Sequence, residues 1–317
     1  LLKRTCEQYR LTLDLLEARG TEAFGSLSAQ LYGTTEDVFH AGGPTVADLA
    51  GQFRDALHWV SDVPIDERDE KGIDGETAVV LLQERLDRSM GPGMVDVVLD
   101  DGIVADAAAG SSYIKLRADA MFSERQLDQL ESHEGWVHVG TSDNGRAQPY
   151  CTFLGKAPPP VNVTQEGLAT LTEILSLTSH PARLLRIADR IDAIALATDG
   201  ASFVEVVEHF RTQGLDEDEC WQLAMRVFRG STPTGLPFTK DLGYGKGLVL
   251  TYAYVRVAIR AGRLDRVPVL FCGKVDINQM GAVNALYDEG LITPPAFLPE
   301  VFRDVNNVAR WIALGRE

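Results

Sequence analysis

Residues 132–140 read SHEGWVHVG, and within them His133, Glu134 and His138 are the side chains best suited to chemistry. Two imidazoles and a carboxylate this close together are the raw material of a catalytic zinc site. The nitrogens hold the ion and the carboxylate serves as general base. The common helical form is H-E-x-x-H, with both histidines on one face; here the second histidine comes one residue later. Residues five apart on an ideal α-helix point about 140° apart, too far to share a metal easily. A π-type turn, with i→i+5 bonding, brings them back to about the same face, and Gly135 between them lowers the cost of distortion. A site here therefore requires a helix that departs from α geometry between His133 and His138. The alternative is two ordinary polar residues at a helix end, and the motif alone leaves it open.

The helix is placed by its own signals. Ser123-Glu124-Arg125-Gln126 has the form of a capping box. Leu127, Leu130, Glu134 and Val137 follow along one stripe, so Glu134 is expected to point inward. A buried carboxylate needs a partner, a ligand role or a proton. Gly140 and Asn144-Gly145 are expected to end the helix. A catalytic zinc also wants a third protein ligand. Downstream, VNVTQEGLATLTEIL places Glu166 in the first turn of another helix. It shares a face with Ala169, Thr170 and Glu173, opposite Leu168, Leu171 and Leu175. An acid at a positive helix N-terminus explains Glu166 equally well. His180 is a fallback ligand.

These segments belong to a chain of 317 residues with ordinary hydrophobic and charged content, enough for one large domain or two intimate ones. Residues 1–75 read as an N-terminal helical region ending in an acidic linker at 63–75, and 76–317 as the domain carrying the motifs. Helical periodicity returns at 76–90. The clear β region, MVDVVLDDGIVADAA and SSYIKLRAD, lies just before the motif helix. Further helices are expected at about 124–138, 164–178, 181–197, 202–213, 216–229, 243–262, 276–289 and 298–314, with GKAPPPVNVT as a stiff extended connector. The class is α+β, mostly helical, with a small β-sheet preceding the motif helix. Trp59, Trp221 and Trp311 are expected in the core.

The net charge of −16 argues against nucleic-acid or anionic-membrane partners. No apolar run reaches transmembrane length. The four cysteines lack ligand spacing, which fits reduced thiols in a cytoplasmic protein. The chain lacks an initiator Met and is expected to begin inside a longer protein.

HEGWVHVGT together with TQEGLA resembles the bacterial QEGLA-motif proteins, also labelled flavohemoglobin expression-modulating proteins. That family is related to the microtubule-associated tyrosine carboxypeptidases. RGSTPTGLPFTKDLGYGKGLV (229–249) is similar to a third block of the family. The resemblance implies a zincin-like metallopeptidase core, with His133, His138 and Glu166 binding Zn²⁺ and Glu134 as general base. It implies a carboxypeptidase acting on a peptide or protein C-terminus. Such an enzyme needs a cation for the substrate carboxylate, for which Lys240 and Arg229 are the first candidates and Lys246 a further one. Tyr244 would donate to the oxyanion. Tyr113, Lys115 and Arg117 alternate along a strand expected to edge the cleft, where a peptide could add by β-augmentation; an ordinary strand with one polar face is the alternative. A metal-retaining regulatory protein without turnover, and a zinc hydrolase tailoring a modified peptide, are the competing functions.

Overall fold

The structure, a computed structural model, describes residues 2–59 and 67–314. Residues 63–66 of the expected acidic linker, and the junction at 60–66 within the expected N-terminal region, lie outside the described residues. Helices α1 (Leu2–Glu17), α2 (Ala23–Tyr32), α3 (Val46–Leu57) and α4 (Gly75–Met90) precede strands β1 (Asp96–Asp100), β2 (Ala107–Ala109) and β3 (Tyr113–Arg117). Then come α5 (Glu124–Leu130), a π-helical segment (Glu131–Val139), α6 (Gly140–Arg146), α7 (Val161–Leu175), α8 (Ala182–Thr198), α9 (Phe203–Thr212) and α10 (Glu217–Phe228). The chain continues with α11 (Leu242–Arg260), α12 (Met280–Asp288), α13 (Glu300–Arg303) and α14 (Val305–Leu314). The class is α+β and mostly helical, with one small sheet.

Local chemistry explains most boundaries. Capping boxes open α3 (Thr45 with Asp48), α5 (Ser123 with Gln126) and α9 (Ser202 with Glu205), while Asp74 and Asp216 cap α4 and α10. Each satisfies backbone N–H groups that a helix start leaves without partners. Three boundaries differ from the sequence reading. First, α7 begins at Val161 rather than 164, because Val161 and Asn162 donate to the carbonyls of Pro158 and Pro159. Prolines fit a helix start, where their missing N–H costs nothing. Second, the motif helix does not end at Gly140, which is helical (φ −54°, ψ −44°); it runs on through α6. Gly145 serves packing instead: a Cβ there would lie 2.2 Å from the Leu154 carbonyl oxygen. Third, the C-terminal helix breaks at Asp304, whose side chain accepts from the Asn306 N–H and so starts α14.

The chain forms two compact units. The first holds residues 2–59, 158–163 and 181–247. In it α3 packs along α8, and Arg54 bridges Asp189 (2.9 Å) and Asp192 (2.5 Å). Leu15, Phe24, Leu31 and Tyr32 form a core cluster with Phe238 against it. The second holds residues 67–157, 164–180 and 248–314. Its core gathers Leu82, Leu86 and Met90 of α4, Ile114 and Leu116 of β3, Phe122, Leu127 of α5 and Val139.

The sheet has the order β1-β3-β2, with β3 parallel to β1 and antiparallel to β2. Strand β3 is therefore central. The expectation that Tyr113, Lys115 and Arg117 line a free cleft edge is incorrect, since neighbours bond both sides of the strand. Alternation holds, with Ile114 and Leu116 buried between them. The tryptophan expectation also fails: Trp59, Trp221 and Trp311 are all exposed. Helical phase places a residue on a face without saying how far from the centre of that face it lies. All four cysteines are free, with Cys151, Cys220 and Cys272 buried and Cys6 exposed. Among the described residues, no helix is long and apolar enough to cross a membrane.

Candidate metal centre

The departure from α geometry expected around SHEGWVHVG is present: Glu131–Val139 is π-helical. The Gly140 N–H reaches back five residues to the Gly135 carbonyl. Side chains take over where the widened turn leaves carbonyls exposed. Thr141 Oγ1 donates to the Val137 carbonyl (2.5 Å), and Ser142 Oγ to that of His138 (2.9 Å). Gly135 has a second role. A Cβ there would lie 2.4 Å from Leu86 Cδ2, so its missing side chain lets the segment sit tightly on α4.

The wider turn brings the two histidines together. Their ring centroids are 4.7 Å apart and their planes lie at 85°. One ligand atom from each of His133, Glu134 and His138 falls within 4.8 Å of the others. Glu166 joins them from α7, with its Oε2 3.3 Å from His133 Nε2 and 3.7 Å from His138 Nε2. Because α7 starts early, Glu166 lies in its second turn, and the helix-N-terminus explanation of this acid falls away. All four residues belong to the second unit. His180 is not part of the cluster.

The other ring nitrogens are already engaged. Glu173 Oε1 is 2.5 Å from His133 Nδ1, and Gln165 Oε1 is 3.4 Å from His138 Nδ1. Glu173 is fully buried. A carboxylate on one imidazole nitrogen fixes the ring and its tautomer and leaves the other nitrogen's lone pair for a ligand role. Glu134 lies with Oε1 4.0 Å from His133 Nε2, while its Oε2 accepts from the Ala109 N–H of β2 (3.1 Å). The sheet thus holds one oxygen of Glu134.

Charge is out of balance here. Three carboxylates (Glu134, Glu166 and Glu173) surround two imidazoles. Burial opposes charge on His133, but Glu166, Glu173 and Glu134 together raise its imidazole to about 10. Burial works against Glu166 as well, yet both histidines hold its carboxyl well below the usual range. Lys274, half-buried beside the cluster, is lowered by burial to about 7 despite Glu166, Glu134 and Asp143. Among the described residues, Glu166 Oε2 is buried without a hydrogen-bond partner. A carboxylate oxygen with no donor, two Nε2 atoms converging on it and excess negative charge fit a bound divalent cation. The residues present fit zinc by ligand type and number.

The other predicted residues are placed differently. Lys115 pairs with Asp100 (2.5 Å), and Arg117 with Asp106 (2.9 Å) and Asp119 (3.3 Å), so both are committed to carboxylates on the sheet. Arg229, Lys240, Tyr244 and Lys246 belong to the first unit. There Lys246 bonds Asp37 (2.5 Å), and Arg229 lies 5.3 Å from the Phe238 ring centroid. Tyr244 carries Arg190 and Arg183 over its ring, at 4.8 and 5.7 Å. Asp241 beside Lys240 is buried, and Arg226 holds it at 2.5 Å. Sequence reasoning missed the roles of Glu173, Gln165 and Lys274. Glu173 carries a signal, since it follows Glu166 by two helical turns on the same face. Lys274 carries none: it reaches the site from a loop far along the chain.

Fold and site together define a mostly helical α+β protein with a buried His-Glu-His cluster compatible with a metal ion. The family model described as microtubule-associated tyrosine carboxypeptidase matches residues 1–317, and the chain belongs to that family. Among curated proteins, microtubule-associated tyrosine carboxypeptidase 1 of Rattus norvegicus is similar, at 32% identity over 128 residues. The match covers 39% of this chain and 27% of the relative's length.

Proposed function

We propose that this protein is a zinc-dependent carboxypeptidase that removes a C-terminal residue from a peptide or protein. The observation that carries the reading is the convergence of His133 Nε2 and His138 Nε2 on Glu166 Oε2, a buried oxygen without a hydrogen-bond partner. Family membership supports carboxypeptidase-type activity. His133, His138 and Glu166 would hold the ion. When bound, zinc supplies Lewis acidity, acidifying a water and polarising the scissile carbonyl.

The remaining chemistry falls to the chain. Glu134 Oε2 is fixed by the Ala109 N–H, which leaves Oε1, the oxygen toward His133, to accept a proton from the attacking water. The same oxygen then delivers that proton to the leaving amine. Glu173 and Gln165 orient the two imidazoles. Lys240 and Arg229 are proposed contacts for the substrate carboxylate, and Tyr244 a proposed donor to the oxyanion. A zincin-like core and membership of the bacterial QEGLA-motif branch, to which Gln165-Glu166 points, belong to the same proposal. So does a cytoplasmic location, which the free thiols favour.

The test combines metal analysis with peptide cleavage. The wild type is expected to purify with about one zinc per chain and to shorten peptides from the C-terminus. His133→Ala and Glu166→Ala should lose the metal and the activity together. Equal zinc in all three proteins would refute the site, and release of internal fragments would refute the carboxypeptidase assignment.

A further inference from the structure

We propose that Lys274 and Gln165 are positioning residues of this centre: Lys274 sets the Gln165 amide so that His138 is held as its Nδ1–H tautomer, with Nε2 toward Glu166. The inference rests on the metal-centre reading above. The two histidines are oriented by unlike groups. His133 faces the Glu173 carboxylate, which accepts a proton at either oxygen. His138 faces a primary amide, which accepts at one end and donates at the other. With the oxygen toward His138, Nδ1 must carry the proton and Nε2 keeps its lone pair. With the amide turned over, Nδ1 would have to accept, and the proton would move to Nε2, where a metal could not bind. Something must therefore choose the amide's orientation.

Thr141 cannot choose it. Its hydroxyl has one proton and three nearby acceptors, the Val137 carbonyl at 2.5 Å, Gln165 Oε1 at 3.0 Å and the His138 carbonyl at 3.5 Å. The shortest contact takes the proton, leaving the hydroxyl able to face either end of the amide. An ammonium has donors only, and even as the free amine Lys274 keeps two N–H groups for the two oxygens it meets. Lys274 Nζ lies 2.7 Å from Gln165 Oε1 and 2.8 Å from the His138 carbonyl. It therefore demands the oxygen, and it anchors the backbone of the same ligand whose ring Gln165 orients. Among the described residues, Gln165 Nε2 is buried without a partner. The opposite orientation could offer that NH₂ to Thr141, so Lys274 holds the amide against a competing arrangement. Gln165 is itself buried, which keeps water from supplying the choice.

The test reads the tautomer directly. In metal-free wild type near neutral pH, ¹⁵N-resolved NMR of the imidazoles should show the neutral His138 ring with its proton on Nδ1. Lys274→Met and Gln165→Met should give a mixture of tautomers and weaken zinc binding by about 10–100-fold. Gln165→Glu, which accepts at both oxygens, should restore a single Nδ1–H form in the Lys274→Met background. A purely structural role would not produce that rescue. A wild-type proton on Nε2, or both Met variants keeping the wild-type tautomer and affinity, would overturn the proposal. If Lys274→Met does not fold, Gln165→Met decides, because there Lys274 keeps its bond to the His138 carbonyl. A wild type that takes up no zinc refutes the metal-centre reading, while the tautomer in the same sample still judges the positioning.

Discussion

At the scale of single residues, the proposed centre separates groups that would hold a metal from groups that would move a proton. Glu134→Gln would remove the proposed base and keep the proposed ligands. It should retain zinc and reduce kcat by about 10²–10⁴-fold, as checked by metal content and single-peptide kinetics on one preparation. Glu173→Gln leaves an acceptor for His133 but takes away its charge, and zinc affinity should fall by about 10–100-fold in competition with a chelator. With His133 as a ligand, zinc uptake should depend on pH. In the metal-free protein its imidazole is raised to about 10 through Glu166, Glu173 and Glu134, against the effect of burial. The unfolded value is about 6.5, so this contribution to metal-free stability is fully present below that pH and lost as pH rises through 10. A ligand must be deprotonated. Zinc binding near neutrality should therefore release about one proton from His133, seen by calorimetry in two buffers of different ionisation enthalpy. Apparent affinity should rise with pH over the same window.

At the scale of elements, glycine decides how closely the motif helix can pack. An Ala at 145 would place its Cβ against the Leu154 backbone, and one at 135 against the tip of a buried leucine, Leu86. Backbone cannot swing aside as a side chain can. Gly145→Ala is expected to cost about 3 kcal/mol and Gly135→Ala about 1 kcal/mol, measured by urea unfolding. Adding Leu86→Ala should recover part of the second loss, so the double mutant should be more stable than the sum of the singles. Much of this scale was legible in the sequence. The capping box at Ser123, the sheet before the motif helix and most helices follow from caps and periodicity. The extra residue between His133 and His138 was readable as a π turn because only that geometry closes the pair. What escaped depended on contacts between distant segments. Strand order cannot be read from alternation, so the residues of β3 leave a cleft edge and an ordinary strand with one polar face both open. Gly140 and Gly145 look like stop signals until Phe297 and Met90 are placed beside the first and Leu154 beside the second. Lys274 belongs to the site through a loop whose sequence gives no hint of it.

At the scale of the whole molecule, charge acts in two ways. Lys and Arg number 30 against 46 Asp and Glu, a net of −16. Such a field opposes acidic polypeptides and favours basic ones. Peptides differing in charge upstream of one shared C-terminal residue should thus separate in kcat/KM at low salt, the basic peptide being faster, and converge as salt rises. In the first unit a single buried carboxylate carries opposite weight. Burial raises the Asp241 pKa, but Arg226 and Arg190 overcome this and hold it at about 2. Its stabilisation is present above the unfolded value near 3.8 and lost as pH falls through about 2. Asp241→Asn removes the charge those guanidiniums share and should cost about 3–5 kcal/mol at neutral pH, with a shallower acid-unfolding curve between those two values.

Helix α7 supplies Gln165, Glu166 and Glu173, which in the proposed centre would orient one histidine, complete the donor set and orient the other. Three functions on one rigid rod are tied together by arithmetic, since a single inserted or deleted residue between 166 and 173 turns the last of them about 100° away. A point change at one of these positions touches one of the three contacts; a change in the count between them displaces a contact without altering any of the three residues. This makes the interval itself a search key. Chains that join H-E-x₃-H to a later Q-E-x₆-E should carry both imidazole supports, whereas chains with the first half and another interval should lack the second.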